Sequence, residues 1–203
     1  MTPSHGTRVV SRNLAARLRS ETADLHEAVE EAAGLPQSVR SRGDYSALLT
    51  RLHRFHVSAE SALRDTVWSQ RWPELGIDLT RHRRSGLLCD DLTAMGAPVP
   101  LPIEPAPFNI STFAAALGCL YVLEGSALGG RVIAPAIRHQ LGDVSTTFFD
   151  SAGRDHPSPW RDVRRALQRY GQSEHHDDVV NGARATFIAF QTHVFARPEM
   201  SGR

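Results

Sequence analysis

Apolar residues recur every three to four positions along most of this chain, and no stretch alternates for long with period two. The pattern predicts helices and no sheet. Leu14, Leu18, Leu25 and Val29 predict a first helix from Asn13 to about Ala33, with Thr22 filling a gap in its apolar face. Ser11 or Asn13 is its expected cap, and Gly34-Leu35-Pro36 its stop. Tyr45, Leu48, Leu49, Leu52, Phe55, Ala59 and Leu63 predict a second helix over 44–67, capped by Asp44. A weaker helix follows over 77–95, apolar at Leu87, Leu88 and Leu92. Residues 96–107 carry five prolines and read as an extended linker. The run over 113–141 is helical at both ends, with Asn109 or Ser111 as expected cap. Residues 142–158 read as loop, 160–170 as a short helix, and 173–195 as the last helix, with Val179, Val180, Ala183, Phe187, Phe190 and Val194 facing inward. The fold class is all-α: six to eight helices in one domain over 11–198, after a polar N-terminus, 1–10, expected to be disordered.

The run over 113–141 is interrupted by Glu124-Gly125-Ser126-Ala127-Leu128-Gly129-Gly130. Glycine inside a helix costs roughly 1 kcal/mol against alanine, so three in six residues predict a bend. Bare backbone there can approach something flat or bulky. A crossing of two helices through small residues, or a turn between two helices, fits this stretch equally well.

Composition narrows the functions. Hydrophobic residues make up 41% of 203 residues, enough for a sizeable core, and a net charge of +1 gives no reason to expect nucleic acid or a membrane surface as partner. The basic residues include no lysine, a habit of composition rather than a site. Two cysteines, Cys89 and Cys119, make no disulfide framework and suggest a reducing cytoplasm, with Cys119 a small core residue. No run approaches the roughly 18 apolar residues of a membrane span, and the N-terminus lacks the apolar stretch of a secretory signal.

Candidate chemistry begins on the first helix, where Arg19, Thr22/Ala23, His26 and Glu30 form one stripe at steps of three and four. Glu30, one turn beyond His26, can accept from one imidazole nitrogen and leave the other free for a metal. His-x-x-x-Glu is equally an ordinary surface pair. His53, His56 and Glu60 share a face of the second helix and read as a solvated or supporting face more readily than as a metal site. His175-His176-Asp177-Asp178 reads as a helix N-terminal turn, and Arg81 to Arg84 as a solvated basic face or a dock for an acidic electron donor.

The segment from Leu18 to Glu30 resembles the proximal-helix segment of heme oxygenases, and Tyr121-Val122-Leu123-Glu124-Gly125-Ser126-Ala127-Leu128-Gly129-Gly130 resembles their kinked distal helix. The two lie about a hundred residues apart, as in the family, and the likeness is greatest to the bacterial, biliverdin-producing branch paired with bacteriophytochromes. The resemblance implies that heme is both substrate and cofactor, cleaved with dioxygen to biliverdin, carbon monoxide and ferrous iron. Electrons then come from a ferredoxin, a flavodoxin or a reductase, since no G-x-G-x-x-G fingerprint is present. It implies His26 as iron ligand, Glu30 as its partner, and Arg19 on a propionate, roughly 10 Å along the helix from His26. Gly125, Gly129 and Gly130 would lie against the porphyrin, Tyr121 near the propionate side or in packing, and Arg184 and Phe187 on the last helix near the heme. Ser126 stands where the animal enzymes carry an aspartate, which leaves Ser126, Glu124 or water as proton carriers. A bacteriophytochrome is a possible acceptor of the biliverdin. Competing readings are a heme-binding or heme-sensing module without turnover, a di-metal oxidase using His53, His56 and Glu60, and an interaction module for a photoreceptor.

Overall fold

Short polar side chains decide where the helices of this chain begin. In the computed structural model, which describes residues 13–64, 67, 69–101, 110–151, 159–171 and 175–195, Asn13 caps α1 (Leu14–Glu21) by accepting from the Ala16 amide at 3.1 Å. The expected first helix is in fact two. Thr22, at φ −119°, divides α1 from α2 (Ala23–Ala33), and its hydroxyl donates back to the Leu18 carbonyl at 2.8 Å. A β-branched residue whose hydroxyl competes for a helix carbonyl bends the chain at that point. Gly34 ends α2 in the left-handed region, φ 52°, where glycine carries no Cβ penalty.

The cap of α3 (Arg42–Leu63) is Ser41, not Asp44. Ser41 accepts from the Asp44 amide at 3.1 Å, while the Asp44 carboxylate accepts from the Ser41 hydroxyl and the Arg40 amide, a reciprocal box. Then come α4 (Arg71–Glu74), a 3-10 turn over Leu79–His82 and α5 (Ser85–Ala94), the last two replacing the single weak helix expected over 77–95. Thr112, rather than Ser111, caps α6 (Phe113–Ser126). A 3-10 turn, Ala127–Gly129, joins α6 to α7 (Gly130–Leu141), so the predicted bend falls at the glycines. A short α8 (Thr147–Asp150) lies inside the expected loop, followed by α9 (Pro159–Tyr170) and α10 (His176–Val194). Among the described residues there are ten α-helices and no strand. Residues 1–10, Asn109 and the latter part of the proline-rich linker lie outside them.

The core is built on α6 and α10, with α3 and α5 on one side and α1, α2 and α9 on the other. A Cβ on Gly118 would lie 2.1 Å from the Val179 carbonyl oxygen, and one on Gly182 would lie 2.4 Å from the Cα of Ala115. These two helices therefore touch backbone to backbone. The α6–α7 run holds an 18-residue window of mean hydropathy 1.4, apolar enough to cross a membrane by composition, which the sequence reading did not expect. Two-thirds of that window (67%) is buried inside the protein, so its apolarity is taken up by packing. Cys119 lies within it, and burial pushes its thiol up to about 12.

Buried polar groups hold the shorter elements. Asp91 accepts from the Ser145 hydroxyl (2.5 Å) and the Thr147 and Phe148 amides (2.8 and 2.9 Å), which is why α8 forms. Glu60 does the same for α5, accepting from the Arg84 amide, the Ser85 amide and the Ser85 hydroxyl at 2.7, 2.9 and 2.6 Å. The His53, His56 and Glu60 face is therefore not solvated: all three are buried, and Glu60 is occupied in capping. Burial, with Arg84 and His53 nearby, pushes the His56 imidazole down to about 3.

Two outcomes follow. Gly118→Ala should destabilise the protein by about 3 kcal/mol, because backbone rather than a flexible side chain occupies the site, read as a lower denaturation midpoint. His56 is neutral in the fold but protonates in the unfolded chain below its ordinary 6.5, so stability is complete above that pH and is lost as the pH falls toward 3. His56→Leu should make the fall in melting temperature across that window shallower.

Candidate functional site

On α2, His26 and Glu30 are one turn apart, and the His26 Nδ1 lies 3.6 Å from a Glu30 carboxylate oxygen. That is ion-pair range, longer than a hydrogen bond. With Nδ1 turned to the carboxylate, Nε2 is the nitrogen suited to a metal. The imidazole is 54% exposed. Its ring is met edge-on by Phe187 of α10, with centroids 5.9 Å apart at 73°. A carboxylate on one side and an aromatic on the other thus limit how the ring can turn.

Arg184, one turn before Phe187, makes a bidentate pair with Asp24 at 2.9 and 3.0 Å and also donates to the Glu21 carbonyl. Arg184 therefore clips α10 to the α1–α2 junction, and it holds the Asp24 carboxyl below its ordinary range. Arg19 lies on α1, across the break at Thr22, so it does not share one straight stripe with His26 and Glu30, and Thr22 is buried. Arg19 is exposed, and among the described residues no carboxylate pairs with it. Its charge reaches Tyr121 of α6, whose phenol burial pushes up and Arg19 pulls partly back.

Tyr121 is half-buried and packs on Trp160 of α9, with centroids 5.4 Å apart. The same indole lies beneath Gly125, where a Cβ would sit 3.6 Å from it in ordinary contact. At Gly129 a Cβ would meet only the Ile133 side chain at 3.8 Å. Gly129 therefore keeps open backbone, whereas Gly125 faces the indole, and the neighbouring Leu128 and Val132 are exposed. Gly130 differs: a Cβ there would lie 2.1 Å from the Phe149 carbonyl oxygen. Its bareness serves packing against α8, contrary to the role the resemblance implies. The Ser126 side chain donates to the Leu123 carbonyl at 2.8 Å. Glu124 is buried and turned to His82, Nδ1 to Oε1 2.9 Å, which removes it from the open side as a proton carrier.

The remaining sequence candidates are structural. Arg81 pairs with Asp162 at 2.7 Å, and Arg84 is buried against the Phe148 ring and carbonyl, so residues 81–84 form no common basic surface. His175 precedes α10, and Asp177 and Asp178 sit in its first turn, as expected. Among the described residues no group of three or more His, Cys, Asp or Glu could hold a metal ion, so the di-metal reading finds no ligand set. Sequence reasoning missed Trp160, His82, Gly118 and Gly182, which carry no pattern in a single chain beyond small or aromatic residues on helix faces.

These residues fit a large flat ligand with a metal centre. One imidazole is exposed and oriented, Gly129 leaves backbone uncovered beside an indole-backed Gly125, and the exposed Arg19 has no carboxylate partner among the described residues. The imidazole stands on α10 through Phe187, and the glycine break through the Gly118–Gly182 crossing.

Comparison with known proteins agrees. No family model matches the chain. The chain is 34% identical over 151 residues to a heme oxygenase of Xanthomonas campestris pv. campestris (strain 8004), spanning 73% of this chain and 87% of that one. Its fold is similar to the crystal structure of the NO- and CO-bound heme oxygenase from Neisseria meningitidis, with a TM-score of 0.71 and 19% identity, covering 92% of this chain and 94% of that one.

The glycines can be told apart in the ligand-free protein. Gly129→Ala should leave the melting temperature unchanged or raise it, since alanine is the better helix former and space is open. Gly130→Ala should lower it by several degrees, because the Phe149 backbone has to move.

Proposed function

The chain belongs to the heme oxygenase family, and from that premise we propose that it cleaves heme with dioxygen to biliverdin, carbon monoxide and ferrous iron, using an external electron donor. The observation that carries this reading is the exposed His26 imidazole, with Nδ1 turned to Glu30 and the ring braced by Phe187. Heme, once bound, supplies both the iron at which dioxygen is reduced and the carbon skeleton that is oxidised.

The chain's own residues have limited tasks. His26 would offer Nε2 as the iron ligand, and Glu30 and Phe187 hold its plane. A thiolate ligand would favour different oxygen chemistry, and Cys119, buried and kept as a thiol, does not compete. Arg19 takes a propionate near Tyr121. Gly129, with Gly125 backed by the Trp160 indole, would give heme a stretch of wall free of side chains. Ser126 donates its proton to the Leu123 carbonyl, so its oxygen is left to accept from a water, and ordered water rather than the serine delivers protons. That same contact favours the second reading, a heme-binding protein of this fold without turnover.

We assign the chain to the biliverdin-producing branch associated with bacteriophytochromes, on the likeness of its glycine motif. A ferredoxin, a flavodoxin or a reductase serves as donor, and a bacteriophytochrome as acceptor of the product. A cytoplasmic setting is supported by two cysteines that stay free, Cys89 and Cys119.

Adding hemin to the purified protein should produce a Soret band that His26→Ala removes or strongly shifts. Reduction in air with ascorbate or a ferredoxin system should then yield a bilin. A wild-type protein that leaves the hemin spectrum unchanged overturns the proposal, whereas a bound complex that yields no bilin selects the second reading.

A further inference from the structure

We propose that His82 is a positioning residue for heme cleavage. Through Glu124 it fixes the last turn of α6, and with it the helix break that carries Gly125 and Ser126. The inference rests on the proposed placing of those two residues beside heme.

A break made of glycines cannot set its own angle. It has no side chains at 125, 129 and 130 to pack, and three glycines within six residues leave the backbone more conformations than any other residue would. Contacts from outside must choose one. Behind the break, the Glu124 carboxylate meets the His82 Nδ1 at 2.9 Å, and both side chains are almost fully buried, at 5% and 2% exposure. A buried carboxylate is stable only when held by good hydrogen bonds, so this contact resists displacement along α6. In front of it, the Trp160 ring lies under Gly125 and beside Tyr121.

The two supports are joined. His82 ends the 3-10 turn Leu79–His82, whose start is held by Asp78 accepting from the Thr80 amide and hydroxyl at 3.0 and 2.7 Å. Its neighbour Arg81 pairs with Asp162, two residues after Trp160 on α9. Glu124, His82, Arg81, Asp162, Trp160 and Gly125 therefore close one circuit around the break. Behind it, Arg84 lies near both Glu124 and Glu60 and supplies the balancing charge, while Glu60 is occupied by the start of α5.

The second nitrogen of His82 points to how the pair is kept. Its Nε2 is buried with no partner among the described residues. His82 borders a void of about 10 Å³ lined by Glu60, Leu63, Arg64, Leu79, His82 and Arg83. That is close to the space one water occupies. With the Glu124 carboxylate accepting at Nδ1, the imidazole proton belongs on Nδ1, and a water in that void would serve Nε2 as donor.

Two measurements test this, the first on the ligand-free wild type. Nitrogen-15 NMR of the imidazoles should show His82 as the Nδ1–H tautomer with a slowly exchanging proton. An Nε2–H tautomer, or two forms averaging rapidly, overturns the proposal. The second uses the full-length hemin complex, following the Soret maximum and the pH at which it shifts. Glu124→Leu and His82→Phe should each move both readouts, and the double variant should move them no further than either alone. Glu124→Gln, which keeps an acceptor oxygen, and His82→Asn, whose amide nitrogen stands where Nδ1 does, should stay near wild type. Unchanged spectra in Glu124→Leu and His82→Phe overturn the proposal, as does a shift in Glu124→Gln as large as in Glu124→Leu. If the apolar variants do not fold, the two conservative ones and the wild-type NMR still decide. A wild type that binds no hemin defeats the functional reading, while the tautomer of His82 reports separately on the pair.

Discussion

Where Gly118 and Gly182 meet, α6 and α10 approach until backbone touches backbone. No side chain larger than hydrogen fits between them, so their separation is set by covalent geometry rather than by adaptable packing. Each helix then carries a part of the site away from the crossing. On α6, the backbone runs to the break at Gly125, a little under two turns beyond Gly118. On α10, Phe187 lies just over one turn beyond Gly182 and reaches the His26 ring. An imidazole on one helix and an open backbone on another are thus referred to a single rigid contact.

The all-α class, the order of the long helices, the bend at the glycines and the His26–Glu30 pair were legible in the sequence because each rests on short-range spacing. A period of 3.6 residues and a cluster of glycines are local signals. What was hidden is non-local. The break at Thr22 depends on a hydroxyl that turns back to the Leu18 carbonyl, and a threonine at that position reads equally well as a continuing helix. α8 forms because Asp91, more than fifty residues away, caps it. His53, His56 and Glu60 of α3 read as a solvated or supporting face, and only the structure shows Glu60 buried as the cap of α5.

The glycines show the same division. Gly125, Gly129 and Gly130 are adjacent in the motif and indistinguishable in one sequence. The structure separates them by what lies opposite: an indole, open space and a carbonyl. Arg184 is a comparable case. Its position on the last helix suggested a contact with ligand, and its guanidinium is instead taken by Asp24 and the Glu21 carbonyl.

The helix that bears His26 buries little of its own surface. It has eleven residues, of which Ala33 alone is buried, and a segment of that length does not hold helical form by itself in water. Between the Thr22 kink and Gly34 it is held from α10, by Phe187 against the His26 ring and by Arg184 on Asp24. The imidazole is therefore placed by the side chains of α10 rather than by the helix that carries it.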